Sequence, residues 1–263
     1  MGHLVFVGDS YCAAYQGVQP ADNLTQIDAT YPTYLNLSAE WLGHIFFSFG
    51  YPGRSWWYSR SQLMKALDSQ AQRQLKLDNK VTFYDDIAAF IFCHTDANRL
   101  NTSNHKISTA LLHLPDDHDS NLALASKLWS SSLVDGEFQL WAMERWFEEI
   151  NRRFCDRPMI HFNVSPFTVE ISRSLKGMVF TTPLLNVSIG EIEGTDKDVD
   201  RSLQHDQRYN HFNKHNQSAM ARLIVDALQN YAPGQFEIDL VKYDFDQPNP
   251  NAWRWPGFGY GTR

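Results

Sequence analysis

The sequence has little of what marks several classes of protein. Its three cysteines, Cys12, Cys93 and Cys155, are odd in number and widely spaced, which is not typical of a disulfide framework or a metal site. Cys12 and Cys93 lie in or beside apolar stretches, so we expect both to be buried free thiols. Dense Lys/Arg clusters are also missing, and the net charge is -7. Nucleic acid is therefore not an expected partner, because phosphate binding needs concentrated positive charge.

Long apolar runs are missing as well. No stretch of about 18 apolar residues is present to span a bilayer, and the N-terminus has no basic segment followed by an apolar run. We therefore expect a soluble protein with no membrane partner and no signal peptide, cytoplasmic by default, with virion association as the alternative. The apolar fraction of 43% is enough for a substantial core.

Apolar runs that read as strands alternate with helix-like stretches, which is typical of an α/β fold with a mostly parallel sheet. The predicted strands are Leu4–Val7, His44–Phe49, Ile87–Cys93, Met159–Val164 and Met178–Thr181. The predicted helices are Ser61–Leu77, Asn121–Phe154 with an interruption at Asp135-Gly136, and Gln217–Tyr231. We expect an α/β domain over residues 1–232. Residues 233–263, rich in aromatics, Pro and Gly, are predicted to form an extension docked on that domain, on a protein partner or on a second copy.

One short motif points to chemistry. Gly8-Asp9-Ser10 directly follows the first predicted strand, where Gly8 allows a sharp turn. Ser10 would then begin a helix, whose free N–H groups favour a developing negative charge. Ser10 is therefore a candidate nucleophile, and a simple helix cap is the alternative.

Other polar segments follow the later predicted strands or precede the last helix. They are Gly50–Ser55, His94–Arg99 and Asp206–Asn213. Ligands of open α/β sheets bind outside the carboxyl ends of the strands, so we expect these segments to gather at one edge.

Together, and in this order, these segments resemble the SGNH hydrolase superfamily, the GDSL-like esterases and lipases. Val7-Gly8-Asp9-Ser10 is similar to the first block of that family, and Gly50–Ser55 to its Gly-x-x-Gly-x-Ser/Thr turn. His211-Phe212-Asn213 is similar to the histidine that leads into the last helix. The resemblance implies a flavodoxin-like three-layer α/β/α sandwich with a central, mostly parallel five-stranded sheet, and a serine esterase that needs no cofactor or metal.

The resemblance also implies roles for individual residues. Ser10 would attack the ester carbonyl, His211 would take its proton, and Asp206 would orient His211. The backbone N–H groups of Ser10 and Gly53 and the amide of Asn98 would form the oxyanion hole. A main-chain carbonyl in place of Asp206 is the alternative.

Two blocks depart from the family pattern. The third is usually Gly-x-Asn-Asp, whereas this chain reads His94-Thr95-Asp96-Ala97-Asn98. We assign Asn98 because an amide can donate to an oxyanion, while an ionised Asp96 would repel it. The family acid lies three residues before the histidine, where this chain has Arg208, so the acid is assigned to Asp206.

Further residues beside the expected pocket are candidates for substrate binding. Arg54 and Arg99 would hold an anionic group, and Trp56 would stack on a sugar face; the alternatives are surface ion pairs and core packing. His205 and His215 compete with His211. The polar stretch after the third strand has no HxxxH or CxxC spacing, so we predict no metal site.

Three functions fit this sequence. The first is hydrolysis of small acyl esters, with O-acetyl groups on carbohydrate as the expected substrate. The second is a non-catalytic SGNH-like structural or carbohydrate-binding module of a larger assembly, such as a virus particle. The third is transfer of the acyl group to an alcohol. One fold hosts all three, so the choice depends on the site.

Overall fold

The structure is a computed structural model, and it describes residues 2–12, 32–50, 55–74, 84–95, 97, 124, 128, 135–187, 212 and 214–246. These residues contain a single sheet of six strands. In chain order they are β1 (His3–Val7), β2 (Ile45–Ser48), β3 (Ile87–His94), β4 (Met159–Asn163), β5 (Met178–Phe180) and β6 (Gly234–Phe236). All pairings are parallel, and the strand order is β2-β1-β3-β4-β5-β6.

Helices connect the strands. They are α1 (Tyr34–Trp41), α2 (Trp56–Gln74), α3 (Gly136–Arg153), α4 (Val169–Ser172) and α5 (Lys214–Gln229). Short 3-10 turns span Ser10–Cys12, Pro166–Thr168 and Leu184–Val187. Asp135 caps α3, since its carboxylate accepts a hydrogen bond from the Phe138 N–H at 3.1 Å. This cap explains why α3 begins at the predicted interruption.

The sheet has a helical layer on each face. Because strand side chains alternate, Leu4 and Phe6 of β1 face α1 and α5, while Val5 and Val7 face α2 and α3. The buried positions of α5 recur at helical spacing, as predicted, at Met220, Leu223, Ile224 and Ala227. The predicted three-layer α/β/α sandwich is therefore confirmed.

The number of strands differs from the prediction, which had five. The sixth, β6, pairs with β5: the Gly234 N–H donates to the Gly177 carbonyl at 2.9 Å, and the Thr181 N–H donates to the Phe236 carbonyl at 2.8 Å. Three residues form too short a run for apolar alternation to reveal a strand, so backbone pairing alone defines it. Residues 234–236 fall within the predicted extension 233–263, whose boundary stays a prediction.

The strand order creates a switch point between β1 and β3. The chain leaves β1 for β2 on one side and then crosses back over β1 to β3 on the other. In open α/β sheets ligands bind at the carboxyl ends of the strands at such a point. A ligand site is therefore expected at the residues that directly follow β1 and β3.

Cys12 and Cys93 are buried free thiols, as predicted, and Cys155 is exposed and also free. None of the helices in the described ranges is both long and apolar enough to cross a lipid bilayer.

Candidate active site at the carboxyl edge of the sheet

The chain leaves β1 through a tight turn, Gly8–Cys12, whose last three residues form a 3-10 helix that begins at Ser10. Gly8 is required by close packing. A Cβ at this position would lie 2.8 Å from the Cys93 carbonyl oxygen and 2.8 Å from the Cys12 sulfur. The turn that carries Ser10 is thus pressed against the end of β3.

The carboxylate of Asp9 links the ends of β1 and β3. Asp9 and Thr95 are both fully buried. Asp9 Oδ1 accepts a hydrogen bond from the Tyr11 N–H at 3.1 Å, and Oδ2 accepts one from the Thr95 hydroxyl at 3.0 Å. The Asp9 carbonyl accepts from the Cys12 N–H at 3.1 Å. One side chain therefore spans the switch point and also fixes the backbone on the far side of Ser10.

Two helices hold the same turn through hydroxyl groups. Ser59 of α2 donates to the Gly8 carbonyl. Tyr34 of α1 donates to the Tyr11 carbonyl at 2.7 Å. Buried carbonyl groups outside a regular ladder need such partners, and here the partners come from opposite faces of the sheet.

Strand β2 supplies a further hydroxyl. Ser48 donates to the Cys12 carbonyl and accepts from the Gly50 N–H, the latter at 3.2 Å. A Cβ on Gly50 would lie 2.6 Å from the Asp9 carbonyl oxygen, so this position also has no room for a larger residue. The start of the predicted second block is thus packed directly on the turn that bears Ser10. Together with Thr95, which directly follows β3, four hydroxyls from separate parts of the chain hold this turn, an arrangement that preorganises it.

The segment before α5 reaches the same place. Phe212 is buried, and its ring meets that of Tyr11 edge-on, with centroids 5.3 Å apart and planes at 71°. It also meets Tyr34 edge-on at 5.9 Å. Tyr11 directly follows Ser10, and Phe212 directly follows His211. The fold therefore brings together the chain neighbours of two residues that are far apart in the sequence.

Most of the predicted site residues lie outside the described part of the chain. These are Gly53, Arg54, Asn98, Arg99, Asp206 and His211. The backbone of Ser10 is described, and so is Trp56, which starts α2 and is 5% exposed. The Trp56 indole N–H has no hydrogen-bond partner within the described part of the chain. The competing His215 faces Asp244, whose carbonyl lies 2.5 Å from Nε2.

A buried pair of histidines lies beside this edge, and sequence reasoning missed it. His94 Nε2 is 3.0 Å from His161 Nδ1, and His161 Nε2 is 2.9 Å from the Lys176 carbonyl. A carbonyl only accepts, so His161 donates from Nε2 to the Lys176 carbonyl. His161 Nδ1 then accepts a hydrogen bond from the Nε2–H of His94. Burial lowers the pKa of His94 well below its usual range and that of His161 to about 4. The pair is neutral at pH 7 and ties β3 to β4.

Cys12 and Cys93 meet behind the turn, next to a tyrosine. The Tyr34 hydroxyl lies 3.8 Å from the Cys12 sulfur and 3.6 Å from the Cys93 sulfur. Burial, and then the neighbouring Cys93, raise the pKa of the Cys12 thiol well above its usual range. A thiol held protonated is a poor nucleophile, which leaves Ser10 as the better candidate in this turn.

Comparisons with known proteins do not assign a family: no family model, no curated protein and no solved structure matches the chain. The resemblance to SGNH hydrolases stays a prediction based on the quoted motifs. Among the described residues, no group of three or more His, Cys, Asp or Glu side chains is placed to hold a metal ion.

Proposed function

We propose that this chain is a serine ester hydrolase of the SGNH type, with Ser10 as nucleophile and His211 as general base. The contact between Phe212 and Tyr11 carries the proposal, because these residues directly follow the two proposed catalytic ones. Ser10 follows β1 at the switch point of a parallel sheet, and ligands bind at such a point in this architecture.

The proposed reaction has two steps. Ser10 Oγ attacks the ester carbonyl while His211 takes the hydroxyl proton and then gives it to the departing alcohol, which leaves an acyl-serine. His211 next takes a proton from water, the resulting hydroxide attacks the acyl group, and the proton returns to Ser10 as the acid is released. Asp206, or a main-chain carbonyl in its place, orients His211 and stabilises its charged form.

The oxyanion of each tetrahedral intermediate needs donors that are already in place. We assign this role to the backbone N–H groups of Ser10 and Gly53 and to the Asn98 amide. The close packing of Gly50 on Asp9 supports the contribution of the second block, since it brings the start of that block against the Ser10 turn. Loss of one such donor typically lowers the rate by about 10² to 10³.

The proposed substrate is a small acyl ester, with an O-acetyl group on carbohydrate as the first to test. Arg54, Trp56 and Arg99 are the candidate substrate-binding residues. Helix α2 begins at the carboxyl edge with Trp56, which is buried and packs in the core with Val5 and Leu63. The adjacent Trp57 is 44% exposed and offers a ring of the kind that stacks on sugars.

An exposed aromatic pair on α3 favours a second candidate function. Phe138 and Trp141 are 55% and 53% exposed, and their rings stack with centroids 5.8 Å apart. Exposed apolar rings of this size are typical of interaction surfaces. A non-catalytic structural or carbohydrate-binding module of a larger assembly would use such a surface and would not need Ser10.

Turnover and covalent labelling separate the two candidates. The wild-type protein should release nitrophenol from p-nitrophenyl acetate, and a fluorophosphonate should label it at Ser10. Ser10→Ala should abolish both, with an unchanged circular dichroism spectrum. Ser174→Ala is the matched control, because Ser174 is an exposed serine with a local hydrogen bond to the Ile171 carbonyl. Absence of both turnover and labelling in the wild-type protein would overturn the esterase proposal in favour of the binding module.

A further inference from the structure

Thr95 directly follows β3 and is bound to the turn that carries Ser10. Its hydroxyl donates to Asp9 Oδ2 at 3.0 Å, and both residues are fully buried. We infer that Thr95 is a positioning residue for Ser10, acting through the carboxylate of Asp9. This inference rests on the proposed esterase function and adds a residue that the motifs do not assign.

The place of this hydrogen bond sets it apart from the pairing within the sheet. The register of β1 on β3 ends with Val7 opposite Phe92. Beyond that pair only the ladder between β3 and β4 continues, to His94 opposite Asn163, and the Val164 N–H donates to the His94 carbonyl at 2.9 Å. The bond from Thr95 to Asp9 thus continues the link between β1 and β3 past the end of their ladder, across the switch point.

The two oxygens of Asp9 have different tasks. Oδ1 accepts from the Tyr11 N–H and so fixes the local shape of the turn on both sides of Ser10. Oδ2 fixes that turn relative to the end of β3, through Thr95. Asn98, the proposed oxyanion donor, lies three residues beyond Thr95 in the chain. Removal of the Thr95 hydroxyl should leave the turn intact and free it to shift relative to the β3 side of the site.

A shift of this kind has a specific kinetic signature. Misplacement of a reacting group by about 1 Å lowers the rate of the chemical step by up to about 10²-fold. Substrate binding by other parts of the pocket is not affected. The loss should therefore fall on kcat and on the rate at which Ser10 reacts with a fluorophosphonate, while KM stays close to the wild-type value.

Thr168 provides a matched control for the structural cost. It is also fully buried, and its hydroxyl donates to the Ser165 carbonyl at 3.0 Å. Thr95→Val and Thr168→Val thus each remove one hydroxyl from a buried hydrogen bond and replace it with a methyl group. Both variants should lose stability, because each leaves a buried acceptor without its donor. Only the first should lose activity.

The test measures fluorophosphonate labelling of Ser10 and the kinetics of p-nitrophenyl acetate hydrolysis in the full chain. Thr95→Val should lower the labelling rate and kcat by about 10- to 100-fold. Thr95→Ser, which keeps the hydroxyl, should recover most of that loss, and Thr168→Val should label at the wild-type rate. If Thr95→Val does not fold, Thr95→Cys replaces it: its weaker thiol donor should give an intermediate rate, and a wild-type rate would overturn the inference.

The outcomes separate the two proposals. A wild-type protein that is neither labelled nor active overturns the esterase and Thr95 positioning together. A labelled wild-type protein with Thr95→Val at the same rate overturns the positioning role alone. Equal losses in Thr95→Val and Thr168→Val also overturn it, because they would show a general effect of lost stability.

Discussion

The rings of Tyr11 and Phe212 meet edge-on, 5.3 Å between centroids, and join two parts of the chain about 200 residues apart. One ring belongs to the turn after β1, and the other precedes α5. Aromatic pairs prefer this geometry because the positive edge of one ring faces the negative face of the other. The contact fixes where α5 starts relative to the Ser10 turn, and so supports a site built from both ends of the sequence.

Shortening Phe212 should weaken both the fold and the proposed activity. Phe212→Ala removes a buried ring that contacts Tyr11 and Tyr34, and should lower the free energy of unfolding by about 3 to 5 kcal/mol. Phe212→Leu keeps most of the volume and should lower the free energy of unfolding less than Phe212→Ala does. Denaturant unfolding and esterase assays below the midpoint test this. Wild-type stability in Phe212→Ala would contradict the packing described.

Gly50 has no room for a side chain. In Gly50→Ala the new Cβ would lie 2.6 Å from the Asp9 carbonyl oxygen, so the Ser10 turn must shift. Both the free energy of unfolding and the esterase activity per folded molecule should fall. Gly43→Ala is the control: φ is +66° there, and nothing lies within 4 Å of the added Cβ. The free energy of unfolding of that variant should fall by about 1 to 2 kcal/mol, the cost of a left-handed backbone. Its activity per folded molecule should be unchanged.

The buried histidine pair predicts a loss of stability in mild acid. Because burial lowers the pKa of His161 to about 4, the unfolded chain binds more protons than the folded protein below pH 6.5. The stabilising contribution is complete above pH 6.5 and is lost as the pH falls towards 4. The protonation of His161 alone should lower the free energy of unfolding by about 2 kcal/mol between pH 7 and pH 5. His94 lowers it in the same direction.

Denaturant unfolding at several pH values between 7 and 5 measures this effect. The double variant His94→Phe/His161→Phe removes both titrating groups together, and with them the hydrogen bond between the rings. It should flatten the pH dependence, whereas an equally steep dependence in the variant would assign the acid sensitivity to other groups.

Thiol reactivity should follow burial. Cys155 is exposed, whereas Cys12 and Cys93 are buried and the pKa of Cys12 is raised by that burial. An Ellman reagent should therefore titrate one thiol in the native protein and all three in denaturant. Cys155→Ser should remove the native signal entirely, and a rapid native reaction in that variant would contradict the described core.

Much of the fold could be predicted from local pattern. The runs that became β1 and β3 are apolar at successive positions because both faces of a parallel sheet are covered. The stripe of α5 has helical spacing because only one side of that helix is buried. Helix α1 was not predicted, although Thr33 and Asn36 form a reciprocal cap at its start. Its eight residues are too few for periodicity to stand out.

Part of the candidate site could also be predicted from local pattern, and part could not. Local chemistry was enough to single out Ser10, because a serine after a strand and a Gly-Asp pair has a recognisable spacing. The roles of His94 and Thr95 could not be predicted, since both belong to a polar stretch typical of a loop. Their partners, His161 and Asp9, are distant in the sequence and adjacent only across the strand order of the sheet.

By itself the sequence determined the α/β class, the positions of the main strands along the chain and the serine that follows the first strand. These features depend on burial pattern and turn chemistry, which act between near neighbours. Only the tertiary structure decided that four hydroxyls hold the Ser10 turn and that Phe212 packs on Tyr11. It also decided that a sixth strand, β6, pairs with β5 in the described part of the chain. These contacts join residues far apart in the chain, so they exist only once the strands have paired and the helices have packed on both faces.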